Sequence, residues 1–181
     1  MSVSSLKVIY YVLFHSVMNY AIIFWGNSSH SHINFRIQKK RAIRIMEGYG
    51  NRVSCRNLFK KLQILTLTSQ YTLSSLMFVV QNENLFLTNN KNHNLHTRQR
   101  NNLYVPQANL TIYQKGASYS GIKIFNNLPL ENKNVAGNQK KFKIALKKFL
   151  HTYSFYTTKE YLSQSWIENF ITRFYYSGIL I

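Results

Sequence analysis

The side chains able to hold a metal or move a proton are few in this chain and badly spaced for either task. Glu47, Glu83, Glu131, Glu160 and Glu168 are its five acidic side chains, and no Asp occurs anywhere. They fall in separate stretches with no paired spacing, so each reads as a solvated charge. Two-metal phosphoryl chemistry needs acidic residues that clamp the attacking and leaving oxygens. A Ser, Thr or Cys nucleophile needs a base oriented by a third group, and no Asp exists to orient one. His30 and His32 point to different sides of a helix and belong in a capping turn rather than on one metal. His93-x-x-His96 has metal-like spacing but lacks a neighbouring Cys or carboxylate and lies in a polar stretch. Gly48-Tyr49-Gly50 is too short for a phosphate-cradling loop. The single cysteine, Cys55, forms neither an internal disulfide nor a Cys-based zinc site, which favours a reduced intracellular setting, cytoplasm or nucleus. The formal glycosylation sequons at Asn27 and Asn109 are then chance matches. The expectation is no catalytic residue, no metal and no cofactor.

What remains is cationic chemistry. Twenty-three Lys and Arg residues against five Glu leave a formal charge of +18 over 181 residues. That imbalance costs self-repulsion on compaction and is relieved by a polyanion, with nucleic acid the default partner and anionic membrane the next. An AT-rich genome, which favours Asn, Lys, Ile, Tyr and Phe codons, is the bland explanation of the same composition. The cations concentrate in two helical stretches. In Ile33 to Met46, Ile33, Ile37 and Ile45 share one helix face, while Arg36, Lys39, Lys40 and Arg44 fall mostly outside it. The isoleucine face is expected to enter a core and the basic face to meet an anion. Arg41 intrudes on the isoleucine stripe, so it must snorkel out or a local bulge must re-register the helix. In Gln139 to Leu150, Phe142, Ala145, Leu146 and Phe149 form an apolar stripe opposite Lys140, Lys143, Lys147 and Lys148. The candidate nucleic-acid contacts are Arg36, Lys39, Lys40 and Arg44, supported by Lys143, Lys147 and Lys148. Such contacts reach phosphates and carry no sequence preference.

The elements that must position these groups read as mainly α. Val8 to Trp25 is long enough to raise the question of a membrane span. Leu6, Ile9, Leu13, Val17, Tyr20 and Phe24 form one helical face, and Lys7, Tyr11, His15 and Asn19 a second seam. That two-sidedness favours a core helix over a span that must be apolar all round. The interrupted apolar run also fails as a signal peptide. Gly26-Asn27 ends this helix, Ser28, Ser29 or Ser31 can cap the basic one, and the two form an antiparallel hairpin. A third amphipathic stretch, Ser54 to Leu62, sets Cys55, Leu58, Phe59 and Leu62 against Arg52, Arg56, Lys60 and Lys61, with Cys55 as a small core residue. A fourth helix over Thr68 to Leu87 has few charges and should be partly buried. Residues 6–88 are therefore a region of helical hairpins. Residues 89–138 are irregular, with a long polar surface loop from Asn89, short extended pieces at Leu103 to Pro106 and Leu110 to Tyr113, a small-residue turn at SYSG, and a boundary fixed by Pro129. Residues 139–162 hold the C-terminal basic amphipathic helix, and residues 163–181 form an unplaced tail.

Several blocks in fixed order resemble a known family: LKVIYYVLFHSVMNYAIIFWGNSS, FRIQKKRAIRIM, LFKKLQILTLTSQY, HTR, SYSGIKIFNNLP and KFKIALKKFLHTYSFY. Together, from about Leu6 to Tyr161, they look like the C-terminal end of the reverse transcriptase polyprotein of insect non-LTR retrotransposons, the jockey-like group. The resemblance implies that the segment from Leu6 to Met46 corresponds to the thumb, which grips the template-primer duplex. It also implies that fingers and palm lie upstream as a partner domain, and that the later blocks form a post-thumb region. The family's Tyr-x-Asp-Asp motif would hold the catalytic metals and has no counterpart here, so the chain should neither polymerise nor cut. Three departures stand inside the match. The family pattern has two basic residues between Gln and Ala-Ile-Arg, where this chain has Lys39, Lys40 and Arg41. Thr66 stands where a proline opens the fourth helix, and Phe125 where the family often has a bulkier or hydroxylated aromatic. These blemishes suit a decaying genomic copy. The expectation is thus a non-catalytic, thumb-like fragment that binds RNA or DNA backbone. The alternative is a small membrane-associated basic protein anchored by residues 8–25.

Overall fold

The computed structural model describes residues 1–93 and 100–164, and these are mainly helical, with no β-strand among them. The first four elements come from the apolar N-terminal stretch: α1 (Val3–Ile9), a π-helical turn (Tyr10–His15), α2 (Ser16–Asn19) and α3 (Ile22–Trp25). They are not one straight helix. A π-turn spaces same-face residues more widely than the 3.6 of an α-helix, and here the inward side chains repeat at four: Tyr10, Phe14, Met18 and Ile22. The chain then breaks at Tyr20 and Ala21, whose φ of 50° is left-handed, and Trp25 Nε1 donates to Tyr20 O at 2.8 Å across the break. The expected face is therefore turned outward. Ile9, Leu13, Val17, Tyr20 and Phe24 are all exposed, Val17 at 67%, and Leu6 alone of that set is half-buried.

The same reversal occurs in α4 (Ser29–Met46), which is continuous and carries no bulge. Ile33, Ile37 and Ile45 lie in solvent, Ile37 at 58% and Ile45 at 64%, with Arg41 exposed between them. Lys39, Ile43 and Met46 are buried, and Phe35 and Ala42 are half-buried beside them. A cation stands within each apolar stripe, Lys39 on the buried side and Arg41 on the exposed one. Arg41 cannot lose its proton in a protein, whereas a lysine can, so the face carrying Lys39 is the one that can be dehydrated. Phe35 also stacks on Trp25 at 4.6 Å between ring centroids, and Ile43 and Met46 enter a cluster with Leu58, Phe59 and Leu62.

The partners of that cluster lie in α5 (Arg56–Leu62), where Cys55, Leu58, Phe59 and Leu62 are buried as the periodicity predicts. At the centre of the molecule is α6 (Leu67–Gln81), shorter than predicted and followed by a 3₁₀ turn at Glu83–Leu85. Thr66 opens this helix: its Oγ1 accepts from Ser69 N at 3.1 Å as an N-cap and donates to Phe155 O. With no charge on any side, α6 buries Thr68, Ser69, Thr72 and Ser75 along with Leu73, Leu76, Val79 and Val80.

Beyond α6 the structure corrects the loop-rich reading. Five residues of the polar stretch form α7 (Asn89–His93), and its two ends are tied by an antiparallel bridge between Thr88 and Leu103 and by Asn89 N to Asn102 O at 2.9 Å. His96 of the His93-x-x-His96 pair and Ser165 to Ile181 of the tail lie outside the described residues. Leu110 to Tyr113, expected to be extended, instead leads into the single turn α8 (Thr111–Gln114). The SYSG segment is helical, within α9 (Ala117–Asn126). Its glycine is there for packing: a Cβ on Gly121 would stand 2.9 Å from Val79 Cγ2, so the small residue lets α9 lie against α6. Asn126 and Asn127 tie this helix to distant chain. The Asn126 amide donates to Leu103 O and its Oδ1 accepts from Leu103 N, each at 2.8 Å, and Asn127 donates to Tyr161 O at 2.9 Å. Leu128 stays out of helix before Pro129, which caps α10 (Leu130–Lys133).

The last large element, α11 (Gln139–Tyr153), follows the predicted pattern. Phe142, Leu146 and Leu150 are fully buried and Ala145 and Phe149 half-buried, while Lys140, Lys143, Lys147 and Lys148 are exposed. A short α12 (Thr158–Leu162) closes the described chain, with Tyr161 buried and donating to Ile124 O at 2.9 Å. The main core joins Met18 and Ile22 to Leu73 and Leu76, Ile124 and Leu128, and Phe142, Leu146 and Phe155, so all three compositional regions contribute to it.

Candidate nucleic-acid interface

The candidate cations are placed by two helices that both pack on α6. On α4, the basic residues are not the free outer face that the sequence suggests. Lys39 is 1% exposed, and Arg36, Lys40 and Arg44 are half-buried. Arg44 donates through Nε to Val53 O at 2.9 Å, which bends the chain after α4 back against the helix. Lys40 Nζ lies 4.4 Å from the centroid of the Tyr156 ring, and the Arg56 guanidinium lies 4.7 Å from the same centroid. Cation–π contact of this kind holds charge at an apolar surface without neutralising it.

Lys39 is the unusual member. Its Nζ is buried and makes no hydrogen bond. Burial pushes its ammonium down from 10.5 to about 7. Burial also lowers Lys40, with Arg36, Arg44 and Arg56 adding repulsion. From the N-terminal stretch, His15 faces the same region: burial, then the charges of Lys39 and Lys147, hold it down at about 4. Burial and Lys147 lower His151 as well.

Lys143, Lys147 and Lys148 project from α11 into solvent, and no carboxylate pairs with them among the described residues. The carboxylates that are engaged correct the expectation of solvated glutamates. Glu160 accepts from Arg56 at 2.8 Å through one oxygen and from Tyr156 N at 2.7 Å through the other, while Glu47, with a nearly buried side chain, pairs with Lys61. The described residues contain no group of three His, Cys, Asp or Glu side chains that could hold a metal ion.

Between α4, the start of α6 and the segment before α12 lies a cavity of about 10 Å³, room for a single water-sized atom, its wall made by Arg36, Lys39, Lys40, Thr66, Thr68 and Tyr156 together with the apolar Phe59 and Leu67. Tyr156, Arg56 and His15 were not among the sequence-derived candidates. No local spacing could have signalled the first two, because 104 positions separate Arg56 from the Glu160 that holds it.

No helix among the described residues is long and apolar enough to cross a membrane. The chain matches no protein-family model, no curated protein and no solved structure.

Proposed function

We propose that this chain is a non-catalytic binding piece that contacts the phosphate backbone of RNA or DNA without reading sequence. The observation that carries the reading is the row of exposed lysines on α11, Lys143, Lys147 and Lys148, which no carboxylate pairs with among the described residues. Phosphates are the natural counter-charge for such a surface. Lys143, Lys147 and Lys148 supply the exposed contacts, and Arg36, Lys40 and Arg44 supply half-buried ones, Lys40 set against Tyr156 and Arg44 tied to Val53 O. The ordered blocks that resemble jockey-like reverse transcriptases support the same role, that of thumb and post-thumb working beside an upstream palm and fingers, inside the cell. The uncovered apolar face of Val8, Leu13, Val17 and Phe24 fits a surface that packs on such a neighbouring domain.

The test is fluorescence anisotropy with single-stranded oligonucleotides of unrelated sequence. Affinities within about threefold of one another are expected, with at least tenfold weaker binding when Lys143, Lys147 and Lys148 are changed to alanine. Absence of binding at low salt would refute the reading, and nucleotide incorporation by the isolated chain would contradict its non-catalytic part.

The same exposed apolar face favours one second reading, a basic protein lying on an anionic membrane surface with residues 8–25 in the interface. Recovery in the pellet after carbonate extraction would select it; recovery in the supernatant selects the first.

A further inference from the structure

Lys39 poses a problem that nucleic-acid binding at an exposed surface does not solve. A buried ammonium with no acceptor is among the more costly arrangements in a protein interior, since water has been removed and nothing has replaced it. The groups that face it offer no relief. Arg36 and Lys40 line the same cavity from its own helix, and its charge bears on His15 of the N-terminal stretch. Glu160, the carboxylate bonded to Tyr156 of the cavity wall, has both oxygens committed, one to Arg56 and one to Tyr156 N. Lys39 does, however, line the cavity between α4 and the start of α6, together with Arg36, Lys40 and Tyr156.

We infer that this cavity seats one oxygen of a phosphate-class oxyanion, with Lys39 as the buried donor and Arg36 and Lys40 closing on the remaining oxygens at the rim. The size of the hole sets the mode. About 10 Å³ accepts one water-sized atom and excludes a whole tetrahedral anion, so a single non-bridging oxygen enters while the phosphorus stays outside. The surrounding cations act in the same sense, because an anion relieves their mutual repulsion as well as the solitary charge. As to source, the inference rests on the nucleic-acid reading, which makes the group a backbone phosphate; a free phosphate presents the same chemistry.

The experiment uses the full chain and sulfate as probe, which stays a dianion from pH 6 to pH 9 so that only the protein titrates. Urea unfolding is followed in sulfate and in chloride at equal ionic strength, for the parent chain, Lys39→Met, Arg36→Met and, as a surface control, Lys143→Met. The expected result is a sulfate-specific stabilisation of the parent that is larger at pH 6 than at pH 9. Fitted as linkage, sulfate affinity should fall at least tenfold in Lys39→Met, fall less in Arg36→Met, and hold in Lys143→Met. An equal response to chloride, or a sulfate response that survives in Lys39→Met, overturns the inference. A second arm measures oligonucleotide binding against salt. A slope reduced by about one phosphate contact in Lys39→Met identifies the anion as a backbone phosphate. An unchanged slope with the sulfate response lost identifies it as a free phosphate and supports the site. If the parent binds no oligonucleotide yet keeps a Lys39-dependent sulfate response, the nucleic-acid reading fails and the site stands; the reverse outcome removes the site alone.

Discussion

Replacing Lys39 with methionine should make the free protein more stable at neutral pH and remove most of its alkaline pH dependence. Burial lowers the Lys39 ammonium from 10.5 to about 7, so between those values the unfolded chain binds a proton that the native chain does not. Stability therefore rises as pH increases from about 7 to about 10.5, and this group contributes no slope outside that window. Each tenfold change in proton affinity corresponds to about 1.4 kcal/mol. The whole interval thus sets an upper bound of about 5 kcal/mol on what the buried amine costs below pH 7. Methionine fills a similar volume with no charge, and comparable replacements of buried ions stabilise by about 1–4 kcal/mol. His15 has a separate window: held down at about 4 by burial and by Lys39 and Lys147, it adds stability as pH rises from about 4 to 6.5 in both proteins. Urea midpoints at pH 5, 7 and 9 in chloride buffer distinguish the two. The parent should gain steadily across the series, and Lys39→Met should start higher at pH 7 and change little from 7 to 9. A parent whose midpoint is flat from pH 7 to 9, or a methionine variant less stable than the parent, would refute the burial of an unpaired amine.

Three further substitutions test the packing on which the site stands. Ile37→Ser should alter stability by no more than about 0.5 kcal/mol, whereas Ile43→Ala should cost about 2–5 kcal/mol; the opposite ranking in denaturant titrations would mean that α4 faces the other way. Gly121→Ala gains helix propensity of about 1 kcal/mol but sets a methyl against the stiff Val79 side chain, for a net loss of about 1–2 kcal/mol. Adding Val79→Ala should cancel the clash part in a double-mutant cycle, and additivity would show that the helices do not meet there. Thr66→Val keeps the shape but loses both the cap to Ser69 N and the bond to Phe155 O, so thermal unfolding should register a loss of about 1–3 kcal/mol.

The elements most legible from sequence were those whose two faces differ in kind. In α11, lysines oppose Phe142 and Leu146, and in α5 Arg56 and Lys60 oppose Leu58 and Phe59, so only one orientation is physically reasonable. The uncharged α6 could be recognised as buried for a different reason, because none of its sides carries a charge that must stay in water. In α4 and the N-terminal stretch both faces hold large apolar residues, and periodicity alone could not choose between Ile37 and Ile43, or between Leu13 and Tyr10. The choice fell to features outside the window: a π-turn that widens the repeat, the contact of Phe35 with Trp25, and the fact that Lys39 can shed a proton and Arg41 cannot. The helix around Gly121 was hidden because its glycine records a neighbour, Val79, that lies far away in sequence. The basic residues of the site could be named from sequence, but their setting could not. Tyr156 and His15 join it through packing between elements more than a hundred residues apart.

The salt dependence of oligonucleotide binding tests most directly whether this charged surface is built for a polyanion. With the six cations named above on a single strand, the logarithm of the association constant should fall linearly with the logarithm of salt concentration, with a slope of about −4. Changing Lys143, Lys147 and Lys148 together to alanine should bring that slope to about −2. A chain that binds no oligonucleotide at low salt, or a slope indifferent to those three lysines, would contradict the account.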